Sequence, residues 1–166
     1  MIGMLLLVCT LSVLVMPSNA WGQVLMSTSA TETPNHPPTK AQRDAAAKKA
    51  RYEKMLRWDK KYHTLSKKQK KQFIKYWISY YTKKLKVKKS RQVSGRKACA
   101  IATMETSLGT AGVGKSKNCI FALKQNAKGK YVGGYPHFKN HRIACKALVV
   151  YYKQGKEWRL WKKYGR

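Results

Sequence analysis

Apolar residues recur at three- and four-residue intervals along much of this chain, and that period restricts what it can fold into. Met55, Trp58, Tyr62 and Leu65 follow it, and so do Phe73, Tyr76, Trp77, Tyr80 and Tyr81. Side chains spaced in this way share one face of an α-helix, so both stretches read as amphipathic helices. Lys67, Lys68, Lys70, Lys71 and Lys75 fill much of the remaining circumference. Thr39 with Gln42, and Ser66 with Gln69, fit capping boxes that place helix starts near Lys40 and Lys67.

The lysines also set the charge: 36 Lys+Arg against 6 Asp+Glu give +30, so a polyanion is expected as partner or target. Nucleic acid, anionic lipid, and the teichoic acids or peptide carboxylates of a bacterial wall satisfy the same electrostatics. Rings on the basic helix 67–86 could stack on bases while its lysines neutralise phosphates. Rings at helical spacing more commonly form a core, and the lysines are then a solvated face.

At 166 residues one domain plus a leader is expected, and a monomer. Residues 5–15 form an apolar run broken only by Thr10 and Ser12. Pro17, Ser18 and Ala20 follow it, so it reads as a signal peptide cleaved after Ala20. The run is too short for a comfortable membrane span, and the expected destination is secreted, periplasmic or wall-associated. Residues 27–38, rich in Ser, Thr and Pro, read as a linker. The expected organisation is a leader at 1–20, a linker at 21–39, a basic helical arm at 40–63 and a domain at 64–166. Export leaves Cys99, Cys119 and Cys145 in an oxidising compartment. Three thiols allow three single disulfides, and Cys99 with Cys145, on two predicted helices, is the favoured pair.

After the basic stretch 83–91 the composition changes. Residues 98–108, A-C-A-I-A-T-M-E-T-S-L, contain no Lys or Arg and suit a buried helix that Gly109 and Gly112 should end. Residues 110–118 read as a loop, 119–124 as a short strand and 128–136 as a turn-rich wall. Asn140 caps a predicted helix from His141 to about Lys153, and residues 157–163 form a short terminal helix with Trp158 and Trp161. The fold class expected is mainly α with a small β component.

Glu105 is the only acid between Asp59 and Glu157, and it ends the least charged helix. A carboxyl so placed is expected to be desolvated, as a general acid requires; a salt bridge to one of many lysines is the structural alternative. Residues 100–109, A-I-A-T-M-E-T-S-L-G, with Asn118 and then I-F-A-L-K at 120–124, resemble the lysozyme-like superfamily. Its lytic transglycosylases and flagellar or phage-type glucosaminidases carry a helix ending Glu-Ser-x-x-Gly, followed by an Asn-Asn-x-Phe-Gly-Ile-Lys-like strand. Tyr135, Phe138 and the stretch 144–152 are similar to the helix closing the same cleft. This chain departs from that pattern in having Thr106 for Ser, Lys117 for the first Asn, one residue inserted before Phe121, and Ala122 for Gly.

The resemblance implies a lysozyme-like domain with a short β-hairpin that cleaves peptidoglycan, with Glu105 as catalytic acid. Thr106, Asn118, Phe121, Tyr131, Tyr151 and Tyr152 are the implied substrate contacts. Two-carboxylate hydrolysis needs a second acid, and none lies within the matching segment. Asp59 and Glu157 each sit in a basic helix that explains them as surface ion pairs. A lone Glu suits the anhydro-forming chemistry of lytic transglycosylases.

Neither a metal nor a cofactor is expected. His137, His141 and Cys145 are spaced by four, but Asn140 starts the helix after His137 and a fourth ligand is lacking. G-T-A-G-V-G-K-S at 109–116 matches phosphate-loop spacing, yet a helix precedes it and no helix pattern follows, so the match is read as accidental. Two rival readings remain open at this level: a nucleic-acid-binding or virion-associated basic protein, and a cationic protein whose helix 67–86 disrupts membranes.

Overall fold

The computed structural model describes residues 37–156. The expected leader, the linker up to residue 36 and the terminal helix 157–163 lie outside the described residues. Among the described residues there are five α-helices: α1 (Lys40–Lys60), α2 (Lys67–Lys84), α3 (Gly95–Thr106), α4 (Gly112–Lys117) and α5 (His141–Lys153). Short 3-10 turns at Tyr62–Thr64 and Lys89–Arg91 join α1 to α2 and α2 to α3. No helix among the described residues is long and apolar enough to cross a membrane.

Local chemistry sets the helix starts. Thr39 Oγ1 accepts from the Gln42 amide at 3.2 Å while Gln42 Oε1 accepts from the Thr39 amide at 2.7 Å. Ser66 and Gln69 repeat the exchange at 3.3 and 2.9 Å, which satisfies donors that a helix start otherwise leaves unpaired. Ser66→Ala should therefore lower stability by about 1 kcal/mol, readable as a shifted urea midpoint with an unchanged slope; no shift would show that water replaces the cap at no cost.

α2 is the central helix and packs against α3 and α5. Phe73, Ile74, Trp77, Ile78 and Tyr81 are buried on it, and the Trp77 ring lies 5.2–6.1 Å from those of Tyr52, Phe73, Tyr76, Tyr80 and Tyr81. Of the stripe that the spacing predicted, Phe73, Trp77 and Tyr81 are core, and Tyr76 and Tyr80 pack half-buried against it. On α5, Cys145, Leu148, Val149 and Tyr152 are buried together, and Asn140 caps the helix.

Three expectations need correcting. Residues 40–63 are not an arm apart from the domain: one compact unit begins at Pro38, and only 40–51 of α1 lack buried or half-buried residues. Met55, Trp58 and Tyr62 extend the apolar stripe into the core. Residues 119–124 are not a strand. Among the described residues the only β pairing is an isolated bridge between Gln125 and Tyr131, because Asn118 at φ 53 and Ala122 at φ 46 turn the chain out of extended geometry. Residues 110–118 are not simply a loop, since they contain α4. Cys99, Cys119 and Cys145 are buried and stand as free thiols. Burial raises the pKa of all three, Cys119 to about 11, which keeps them protonated and weakly reactive.

Candidate active site

Glu105 lies in the last turn of α3 and is half-buried. The helix ends earlier than the glycines predicted. Ser107 and Leu108 both take left-handed backbone, at φ 49 and 60, and their amides return to the carbonyls of Thr103 and Ala102 at 3.0 and 2.8 Å. Glycine normally fills such positions. Here burial supplies the compensation: Leu108 is buried and its carbonyl accepts from the Tyr62 hydroxyl at 3.1 Å.

Thr106 locks this turn to the next segment. Its buried hydroxyl donates to the Ile120 carbonyl at 2.8 Å and accepts from the Gly109 amide at 3.0 Å. The Thr106 hydroxyl is thus committed to the backbone, and the side chain is buried away from any surface that a substrate could reach. The 119–121 segment lies against the end of α3, near enough that the Glu105 charge adds to the burial that raises the Cys119 thiol.

The glycines of the phosphate-loop-like stretch have a packing role. A Cβ on Gly114 would sit 2.5 Å from Thr106 Cβ and 2.7 Å from Gly109 Cα, and one on Gly109, at φ 81, would sit 2.6 Å from Ile120 Cγ2. Gly114→Ala should cost about 1–3 kcal/mol by overpacking, measured by thermal unfolding; wild-type stability in this variant would mean that α4 moves aside freely.

The other sequence candidates divide clearly. Asn118, half-buried at the end of α4, donates through Nδ2 to the Phe138 carbonyl at 2.8 Å, and the Phe138 amide donates to Lys117 at 2.9 Å. It clamps the segment in place. Phe121 is 1 % exposed and belongs to the core. Tyr151 and Tyr152 are buried on α5. The Tyr152 ring lies 5.7 Å from the ammonium of Lys97, in the first turn of the helix whose last turn carries Glu105. Tyr131 is 68 % exposed, and its hydroxyl donates to the Gly133 carbonyl at 3.3 Å. Of the six implied contacts, Tyr131 and Asn118 keep exposed surface.

Sequence reasoning missed a second cluster. A groove of about 740 Å³ runs between the end of α1 and the start of α5, lined among others by Asp59, Tyr62, His63, Asn118, His141 and Arg142. Glu105 does not line it. Asp59 is buried rather than paired along its own helix: it accepts from the Arg142 amide at 3.2 Å and faces Arg142 Nε at 3.3 Å. Burial raises its pKa despite the opposing pull of Arg142. Desolvation falls on the whole carboxylate, whereas the half-exposed guanidinium is partly screened. His141 stacks on Tyr62 with ring centroids 3.9 Å apart, and its buried Nε2 has no hydrogen-bond partner. The one sequence clue to this cluster was an acid at position 59 beside an apolar helical stripe.

Comparisons with protein-family models, curated proteins and solved structures find no match to this chain.

Proposed function

We propose that this chain is an exported, lysozyme-like enzyme that cleaves the glycan strands of peptidoglycan, with Glu105 as its single general acid. The observation that carries the reading is the Thr106–Ile120 hydrogen bond of 2.8 Å. It joins the two halves of the sequence resemblance, the end of the Glu helix and the Asn118–Phe121 segment, at a half-buried carboxyl. Bulk cationic charge would hold the enzyme on anionic wall polymers, and raised salt should weaken that adsorption.

Glu105 first gives its proton to the glycosidic oxygen as the bond to the anomeric carbon breaks. The resulting carboxylate then takes the proton of the muramic acid 6-hydroxyl, whose oxygen attacks the anomeric carbon to close an anhydro ring. No water is consumed and no second carboxylate is needed. Asp59, which is buried, is held by Arg142 and the start of α5.

Purified sacculi incubated with the protein should release soluble muropeptides ending in an anhydro sugar. Mass spectrometry distinguishes these from reducing ends by one water. Reducing ends would keep the glycosidase reading and reject the non-hydrolytic route; no soluble product would reject both.

A further inference from the structure

We infer that the cleft between the end of α2 and the end of α5 is a binding site for a polyol-phosphate polymer of the kind that decorates bacterial walls. The cleft, about 420 Å³, is lined by Lys86, Lys88, Ser90, Arg91 and Lys153. Four cations and a hydroxyl meet there, all exposed, and among the described residues no carboxylate lines the cleft. Residues 60–104 contain no Asp or Glu, nor do residues 106–156; the nearest acid in sequence is Glu157, four positions after Lys153 and outside the described residues.

Hydrogen bonds hold these like charges together. Arg91 Nη1 donates to the Lys153 carbonyl at 3.2 Å, and Lys153 Nζ donates to the Leu85 carbonyl at 3.0 Å. Arg91 keeps the rest of its fork for a phosphate, to which guanidinium geometry is matched. Lys86 occupies left-handed backbone at φ 48, a position that favours glycine. A lysine there adds charge at a conformational cost, and a bound anion would offset both the strain and the mutual repulsion of the cations.

A second concavity of about 430 Å³ shares Lys86 and adds Lys75 and Lys83. Two clefts joined at one lysine form a track, which suits a chain of repeating phosphates better than a lone ion. Among the described residues, neither cleft is lined by an aromatic ring. Single-stranded nucleic acid is normally held by base stacking as well as charge, so the track favours a phosphodiester without bases.

The assignment rests on the wall-directed reading for its biological sense, but its test uses no glycan. Binding of purified poly(glycerol phosphate) to the full chain is measured by calorimetry across a salt series. Lys86→Gln with Lys88→Gln should weaken binding roughly tenfold and reduce the salt slope by roughly 2, one for each lost phosphate contact. A matched control, Lys48→Gln with Lys49→Gln on exposed α1, changes net charge equally and should keep wild-type affinity. Ser90→Glu, which places a carboxylate in the cleft and removes no lysine, should reproduce the loss. Equal losses in cleft and control variants, or no loss in either, overturn the site. Tighter or equal binding of an oligonucleotide with the same number of phosphates, lost in the same variants, overturns the polymer named. Either failure leaves the release of muropeptides from sacculi untouched as a separate result.

Discussion

Glu105→Gln should cut the release of muropeptides from sacculi by a factor of about 10²–10⁴, the usual contribution of a positioned general acid. Gln matches Glu in size and accepts hydrogen bonds, but it carries no proton acidic enough for a leaving alkoxide. The half-buried position at the helix end should tolerate it, so unfolding free energy should move by no more than about 0.5 kcal/mol. Adsorption to sacculi, driven by lysines elsewhere, should persist. That pattern separates catalysis from the rivals: equal lysis by variant and wild type would favour membrane disruption, and loss of both activity and fold would make Glu105 structural. Glu105→Asp, which withdraws the carboxyl by one methylene, should fall between wild type and Gln.

Acid should unfold the protein through His141. Burial, then the positive fields of His63 and Lys70, lower its pKa to about 3. An unfolded histidine takes its proton near pH 6.5, so between about 6.5 and 3 the unfolded chain binds a proton that the fold refuses. The stability contributed by neutral His141 is therefore complete above pH 6.5 and drains away as the pH falls toward 3. At 1.36 kcal/mol per unit, the interval sets an upper bound of about 5 kcal/mol. Asp59 acts with the opposite sign. Its raised pKa lets the fold take a proton before the unfolded chain does, which recovers part of the loss at the acid end.

His141→Phe keeps a ring against Tyr62 and removes both the titration and the unpartnered Nε2. Urea unfolding from pH 7.5 to 3.5 should show a markedly flatter decline for this variant, with stability at pH 7.5 equal to or above wild type. Parallel curves would show that the acid sensitivity arises elsewhere.

The legible parts of the fold were those that neighbouring residues decide. The Thr39–Gln42 and Ser66–Gln69 boxes and the Asn140 cap each lie within one helical turn of the groups they satisfy. The stripe of α2 was readable in Phe73, Trp77 and Tyr81, which repeat within one continuous helix, while Ile74 and Ile78 on the same face were not singled out. Asp59 was misread because its partner, Arg142, lies 83 positions away. Thr106 reads in the sequence as a substrate contact because the motif it resembles places a hydroxyl there, while its acceptor, Ile120, is visible only after α3 and the following segment meet.

Period, caps and net charge were therefore set by the chain alone, since each depends on contacts within about four residues or on composition. Tertiary packing decided where α3 stops, that residues 119–124 turn rather than extend, and which acid lies under Arg142. It also decided that His141 sheds its charge. Desolvation and a left-handed turn are paid for by groups distant in sequence, here Tyr62 for Leu108 and α1 for α5, and no local pattern records which distant groups will arrive.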